Sequence, residues 1–489
     1  MDSIWRKITH NPERLAFSGH IQTEAAVIGG GMAGILTAFF LQEAGVKTIV
    51  LEAGHVGEGQ TGSTTAKITA QHGLIYDGLI HSQGKEKAAL YARANSRAVE
   101  DYRSLVQSRN IQCRWLDCPA YLYTRCKRDV VENEVRACDE LGLPVTFVTD
   151  TQLPFPVAGA AKMEGQACFS PLEFLFNIAG ELTVYENTEV KRVEGKVITT
   201  AGGDVTAEHI VFAGHFPFIN RPGYYFARMH QDRSYCLALS GAGHMEGMYY
   251  GMDEGDYSFR GLRLEDKDLV ILGGCNHRTG ANEGGRYERL RNSARSYWPD
   301  CKEEAAWSAQ DCMTLDAVPY IGHFSPAAPG WYVATGFGKW GMSHSMVAAR
   351  LLTDLITGKE NPAKEVFTPS RFGWDAAESL AKQAGCTIKG YVGKRNATGG
   401  EHLEDLRPGE GHLVEYGNGK IGAYRDESGT LHLVSARCPH LGCELTWNPD
   451  EKSWDCPCHG SRFSVDGEIL CGPADTPLAR VELPPEKGE

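Results

Sequence analysis

Two patterns of apolar positions follow one another near the N-terminus. Residues 24–31, EAAVIGGG, run apolar into a glycine turn without alternating, as a strand buried on both faces does. Residues 32–44, MAGILTAFFLQEA, carry helical periodicity, and residues 47–52, KTIVLE, form a second short strand ending in an acid. The pattern predicts strand, turn, helix and strand over 24–52, the opening of a parallel α/β sheet. Near the C-terminus the pattern changes. GHLVEYGNGKIGAYRD (411–426) and TLHLVSA (430–436) are strand-like runs that fit a small antiparallel β domain. Residues 25–42 are uncharged and long enough to imitate a membrane span, but Gly29, Gly30, Gly31 and Gly34 break the run at the turn, so no span is expected.

The length of 489 residues exceeds what one hydrophobic core organises, so two or three domains are expected. The net charge of −13 excludes a basic nucleic-acid footprint. The N-terminus, MDSIWRKITHNPERLAF, holds no long apolar segment of secretory type, which points to the cytoplasm. Fifteen cysteines change the picture. Five of them (Cys438, Cys443, Cys456, Cys458 and Cys471) fall close together, and the others are scattered singly like reduced thiols. The cluster reads as a metal site before a disulfide framework.

The turn at Gly29-x-Gly31-x-x-Gly34 has the context a dinucleotide fingerprint requires. Gly29 permits the tight turn, Gly31 lets backbone approach a pyrophosphate, and Gly34 lets the helix pack close to the sheet. The phosphates would rest on the helix N-terminus. Glu52 can accept from ribose hydroxyls and argues against a 2′-phosphate, hence against NADP; FAD and NAD both remain open.

The run after Glu52, AGHVGEGQTGSTTAKITAQHG (53–73), resembles the flavin-facing loop of the D-amino-acid oxidase-like family, which includes glycine and sarcosine oxidases. WSAQDCMTLDAVPYIG (307–322) and WYVATGFGKWGM (331–342) look like that family's later segments, the second being its closing turn beside the flavin pyrimidine. The resemblance spans about 20–372. It implies FAD in a Rossmann-like domain (about 20–90, 151–219 and 307–372) with an inserted mixed-sheet substrate domain (about 91–150 and 220–306). It implies cofactor contacts from Gly29, Gly31, Met32, Ala33, Gly34, Glu52 and Ala53. It adds Thr64, Thr65, Ala66 and Lys67 in the loop, and Gly336, Gly338, Lys339, Trp340, Gly341 and Met342 in the closing turn. Lys67 and Lys339 are candidate catalytic cations beside the ring. Where glycine oxidase-like members carry a carboxylate-binding Arg, five residues before the motif acid Asp316, this chain has Asp311, which suits a cationic amine or an internal ion pair. The sarcosine-oxidase linkage Cys corresponds to Ala309, so FAD is expected to be non-covalent despite Cys312 nearby. His72, His215, His277, Arg278 and His344 sit near glycine-rich turns, where a structural role is favoured over a substrate-facing one.

At the other end, CPHLGC (438–443) and CPCHGS (456–461) offer Cys438, His440, Cys456 and His459. Two Cys and two His can hold zinc, but the pairing of two thiolates and two imidazoles favours a Rieske [2Fe–2S] centre. The motifs resemble Rieske proteins of the cytochrome bc type. That resemblance implies a Cys443–Cys458 disulfide, a covering loop at Gly472-Pro473, and Ser461 as a donor to a cluster sulfide. Phe463 stands where high-potential relatives have a Tyr donor, so the expected potential lies below theirs. The Rieske domain is expected over 401–489, after a connector at 373–400 with a candidate helix at 374–384. Residues 401–489 hold 17 Asp+Glu against 8 Lys+Arg, a balance that suits a basic redox partner or simply solubility.

Together these imply an FAD-dependent dehydrogenase of an amine or amino-acid-like substrate. It would pass single electrons through the cluster to an external acceptor or redox protein. The alternative is an electron-transfer component serving a protein partner. A Rieske oxygenase fits poorly, since no mononuclear-iron facial triad is evident.

Overall fold

The computed structural model describes residues 2–371, 403–417 and 419–482. The expected connector at 373–400, with its helix at 374–384, lies outside them. The described residues form two compact units. The first takes 2–215, 234–276 and 287–371; the second takes 216–233, 277–286 and the described residues from 403 onward.

The first unit holds one sheet entirely and most of a second, whose strands Met229–Ser240 and Asp268–Arg278 each have one end in the second unit's segments. In the first sheet, Gly19–Ile28 lies parallel between Thr48–Leu51 and Gly203–Phe212, with Ala25 opposite Thr48 and His209. Val184–Tyr185 extends it parallel on one side, and Trp331–Thr335 parallel on the other, where antiparallel Tyr320–His323 closes the edge. Helix Met32–Glu43 crosses from the first strand to the second. All of its residues from Met32 to Leu41 are buried, which is why it reads as apolar on every face.

The second sheet is mixed. Its order is Lys302–Thr314, Met229–Ser240, Asp268–Arg278, Ser258–Arg263, Met248–Gly251, Leu116–Thr124, Gly159–Cys168 and Lys67–Ile68, with Val145–Val148 also on Gly159–Cys168. Met248–Gly251 runs parallel to Leu116–Thr124; the pairs on either side of these two strands are antiparallel. The two-residue strand Lys67–Ile68 joins this sheet directly after the expected flavin-facing loop.

The cluster motifs lie on two small antiparallel sheets. One is Gly411–Tyr416, Gly419–Arg425 and Leu431–Ser435. The other is Thr446–Asn448, Ser453–Asp455, Arg462–Phe463 and Ile469–Cys471. CPHLGC links the two sheets, and CPCHGS is the loop between Ser453–Asp455 and Arg462–Phe463. Among the described residues no helix is long and apolar enough to cross a membrane, and 25–42 divides between a strand and a helix.

Candidate functional site

The N-terminal turn is built so that only glycine fits. A Cβ on Gly34 would lie 1.9 Å from the Gly29 carbonyl oxygen, and one on Gly29 would lie 2.8 Å from the Ala213 backbone. Gly29 also has φ +116°, which L side chains avoid. Gly31 precedes the helix without a capping side chain, while the Met32 N–H donates to Thr61 Oγ1 at 3.0 Å. Ala33 lies buried in the first helical turn. Glu52 turns back over the turn: it accepts from Gly30 N at 2.5 Å and from Gly54 N at 2.9 Å, bracketing Ala53. Burial raises its pKa, and those two N–H groups oppose the rise. A glycine cradle at a helix N-terminus beside a half-buried acid fits an adenosine diphosphate moiety.

The next loop is gripped from far along the chain. Trp307 Nε1 donates to Ser63 O at 2.8 Å and Trp5 Nε1 to Thr64 O at 2.7 Å. Arg260, only 1 % exposed, donates to Thr65 O at 3.0 Å, Ala66 O at 2.8 Å and Phe169 O at 3.2 Å. Ala66 is thereby held at φ +56°. Lys67 is buried in turn and donates to Tyr249 O at 2.7 Å and to Ser258 Oγ. Burial, with Arg260 adding repulsion, pushes Lys67 down to about 7. No local sequence pattern announces Arg260, Trp5 or Trp307, because each acts across more than fifty residues.

The closing turn joins Trp331–Thr335 to helix Gly341–Ile356, with Gly336 at φ +73° and Gly338 at φ +54°. Gly338 N donates to Cys312 O at 2.9 Å. Lys339 pairs with Asp311 at 2.9 Å, so two residues read separately in the sequence form one ion pair. Cys312 Sγ lies 3.2 Å from His215 Nε2. Trp340 stacks on His72 with ring centroids 5.0 Å apart. His72 Nδ1 and Tyr91 OH are 2.6 Å apart, and Tyr91 OH and His344 Nε2 are 2.9 Å apart. Met342 is buried, and its carbonyl accepts from Tyr102 OH at 3.0 Å. Burial lowers His72 and raises Tyr91, and it takes His344 down to about 3, so both rings are neutral near neutral pH. Asp316 is held by Arg371 through contacts of 2.7 and 2.9 Å.

In the second unit the cluster loops converge. Cys443 and Cys458 form a disulfide. The sulfurs of Cys443, Cys456 and Cys458 lie within 4.8 Å of one another, and since two of them are bonded together, Cys456 is the one left to coordinate. The Cys456 thiol lowers the pKa of Cys438, and Cys438 raises that of Cys456. His440 and His459 have ring centroids 5.0 Å apart, and the Nδ1 of each is buried with no partner. A buried polar atom without a partner is costly, and two on neighbouring imidazoles within the cysteine motifs fit a metal cluster. Burial, reinforced by His440, pushes His459 down to about 4, which keeps it neutral, the state in which an imidazole can coordinate a metal. Ser461 accepts from Ala474 N at 3.0 Å. Phe463 is fully buried in the core around the four cysteines. Arg278 donates to Cys458 O at 3.4 Å, and His277 Nδ1 lies 2.8 Å from Arg278 O.

Residues 24–355 match the FAD dependent oxidoreductase family, and residues 401–482 match the Rieske [2Fe-2S] domain. The chain belongs to the FAD dependent oxidoreductases and carries a Rieske domain at its C-terminal end. It is 38% identical over 501 residues to YhfW of Bacillus subtilis (strain 168), named as a Rieske 2Fe-2S iron-sulfur protein; the match covers 99% of this chain and 98% of that one. The fold resembles a glycine oxidase from Geobacillus kaustophilus (TM-score 0.61, 19% identity, 72% of this chain and 100% of the other). It also resembles an L-proline dehydrogenase from P. horikoshii (TM-score 0.60, 18% identity, 72% and 98%). The cofactors of these families are FAD and a [2Fe–2S] cluster.

Proposed function

We propose that this protein is a dehydrogenase that oxidises an amine or amino-acid-like donor and delivers the electrons singly, through its Rieske domain, to an external acceptor. The observation that carries this reading is the presence, on one chain, of an FAD dependent oxidoreductase region and assembled cluster loops. Bound FAD supplies a two-electron hydride acceptor, and the cluster supplies a one-electron carrier. The substrate class is supported by the glycine oxidase and L-proline dehydrogenase that share the fold.

The chain's residues divide the work. Gly29, Gly31, Met32, Ala33, Gly34, Glu52 and Ala53 would hold the adenosine diphosphate. Thr64, Thr65, Ala66 and Lys67, with Gly336, Gly338, Lys339, Trp340, Gly341 and Met342, would frame a non-covalent flavin ring. Cys438, His440, Cys456 and His459 would ligate the cluster. Asp311 already holds Lys339, so a substrate ammonium would compete with that Nζ for the carboxylate. The flavin parts would lie at about 20–90, 151–219 and 307–372, and the Rieske domain at 401–489. Among the described residues, the cysteines outside the cluster motifs form no disulfide, which supports a reducing, cytoplasmic setting. The acidic balance of residues 401–489 favours a second reading, an electron-transfer component that docks a basic protein.

Anaerobic visible spectra of the holoprotein against a panel of primary, secondary and N-methylated amines and amino acids test the reading, with EPR of the same samples. Bleaching of the flavin by one donor, followed by a reduced Rieske signal, is expected. If dithionite reduces both centres and no donor reduces either, the dehydrogenase reading fails and the electron-transfer reading takes its place.

A further inference from the structure

The segment 216–233 lies inside the stretch that matches the oxidoreductase family, yet it belongs to the compact unit of the cluster. Two of its residues meet the cluster motifs directly. The Phe226 ring stands edge-on to both ligand imidazoles, 4.9 Å from His440 at 83° and 5.5 Å from His459 at 88°. Gln231, 1 % exposed, places its amide on the backbone of both covering loops. Its Nε2 donates to His459 O at 3.0 Å and to Gly472 O at 2.8 Å, and its Oε1 accepts from Cys471 Sγ at 3.5 Å. A Cβ on Gly460 would lie 2.6 Å from Gln231 Cβ, so the loop approaches the strand as closely as backbone allows.

Other contacts show a fitted joint rather than a grazing one. Arg233 pairs with Glu451 at 2.8 Å, and both are largely buried. Asn282 donates to Asn448 Oδ1 at 2.7 Å. Thr446 Oγ1 donates to Gly280 O at 2.9 Å. Gly280 leaves no room for a Cβ against Pro457.

We propose that Phe226 and Gln231 are positioning residues for the cluster: Phe226 shields the imidazole edge from water and from diffusing oxidants, and Gln231 latches the two loops beneath that shield. The physical argument is a charge count. Two thiolates and two neutral imidazoles around a doubly positive iron–sulfide core leave the oxidised cluster neutral and the reduced cluster singly negative. Water stabilises the charged state more than an apolar ring does. An aromatic cap over the imidazoles therefore lowers the reduction potential, and it also keeps outside reagents at a distance. The inference rests on the cluster alone and is independent of the substrate proposed above.

The test uses the full-length holoprotein and its Phe226→Ala, Phe226→Leu and Gln231→Leu variants. Two quantities are read: the midpoint potential by EPR-monitored titration, and the rate at which ferricyanide takes one electron from the reduced cluster at fixed ionic strength. Phe226→Ala should raise the midpoint and also speed the ferricyanide reaction several-fold, although the driving force has become smaller. Phe226→Leu, which keeps apolar bulk, should stay near the parent in both. Gln231→Leu should shift both in the direction of Phe226→Ala. A role in folding alone would change cluster content without that paired shift. If Phe226→Ala carries full iron with an unchanged midpoint and rate, the proposal is overturned. If Phe226→Ala does not load iron, the Leu variant decides: it too must load and keep the parent's values, and failure of both to load marks Phe226 as a folding residue and overturns the shield.

Discussion

The cluster loops and the loop at 61–67 are held by different means, the first by a covalent tie with added remote contacts and the second by remote contacts alone. Both ligand motifs lie within residues 438–461, separated by one antiparallel strand pair and tied by the Cys443–Cys458 disulfide. The flavin-side loop at 61–67 has no such tie. Its carbonyls at Ser63, Thr64, Thr65 and Ala66 are received by Trp307, Trp5 and Arg260, from three remote parts of the chain. The disulfide fixes the two motifs to each other, and Gln231 adds a contact to that tie rather than replacing it. A loop whose carbonyls depend on distant donors inherits the stability of the whole sheet around it. The two cofactors should accordingly be lost separately and by different perturbations.

The largest effect sharpens that separation. Cys456→Ser and His459→Ala each remove a proposed cluster ligand, the second together with one of the two buried Nδ1 atoms. Either should abolish the Rieske EPR signal and the bound iron while flavin absorbance remains. Loss of both cofactors together would show that the two sites fold as one. The reciprocal change is Gly34→Ala. Its Cβ would sit 1.9 Å from a backbone oxygen, so the turn must open, at a cost of about 3 kcal/mol or more. The purified variant should lack flavin and retain iron.

The same contrast explains what the sequence disclosed. Cluster chemistry was legible because Cys438, His440, Cys456 and His459 sit in two short motifs where spacing alone carries meaning. The glycine turn was legible for the same reason: Gly29, Gly31, Gly34 and Glu52 span one strand–turn–helix–strand unit. Phe226, Gln231 and Arg260 were illegible, because a residue that works across a hundred or more positions leaves no periodicity or spacing. Asp311 and Lys339 show a subtler limit. Each was recognisable as a charge near the expected site, but only the fold reveals that they neutralise each other at 2.9 Å. The short strand Lys67–Ile68 also escaped a residue-by-residue reading, since its pairing with Ala167 and Cys168 is fixed by tertiary contact rather than β propensity.

A mid-sized effect tests the remote grip. Arg260→Leu leaves the carbonyls of Thr65, Ala66 and Phe169 without this donor in a buried site. Each unpaired buried acceptor costs about 1–3 kcal/mol, so the thermal midpoint of the flavin-bearing unit should fall by several degrees. Flavin release on heating should come earlier, while the temperature at which the Rieske signal disappears stays near that of the parent. A parallel fall of both midpoints would erase the distinction drawn here.

The smallest effect is a slope rather than a loss. Burial takes Lys67 from 10.5 down to about 7, with Arg260 adding to the shift. In the unfolded chain the amine keeps its ordinary value. Below pH 7 it is protonated in both states, and the folded protein bears the full cost of a buried cation. Between about 7 and 10.5 the unfolded chain binds more protons than the folded one, so stability rises with pH across that window. The span corresponds to an upper bound of about 5 kcal/mol. Lys67→Met removes the titration. It also leaves Tyr249 O and Ser258 Oγ without this donor, a loss that does not depend on pH. The informative quantity is therefore the difference in thermal midpoint between parent and variant, followed from pH 6.5 to 9.5. That difference should move in favour of the parent as pH rises. A flat difference would mean that Lys67 stays charged when buried, and that its two hydrogen bonds, not its neutralisation, reconcile it with the interior.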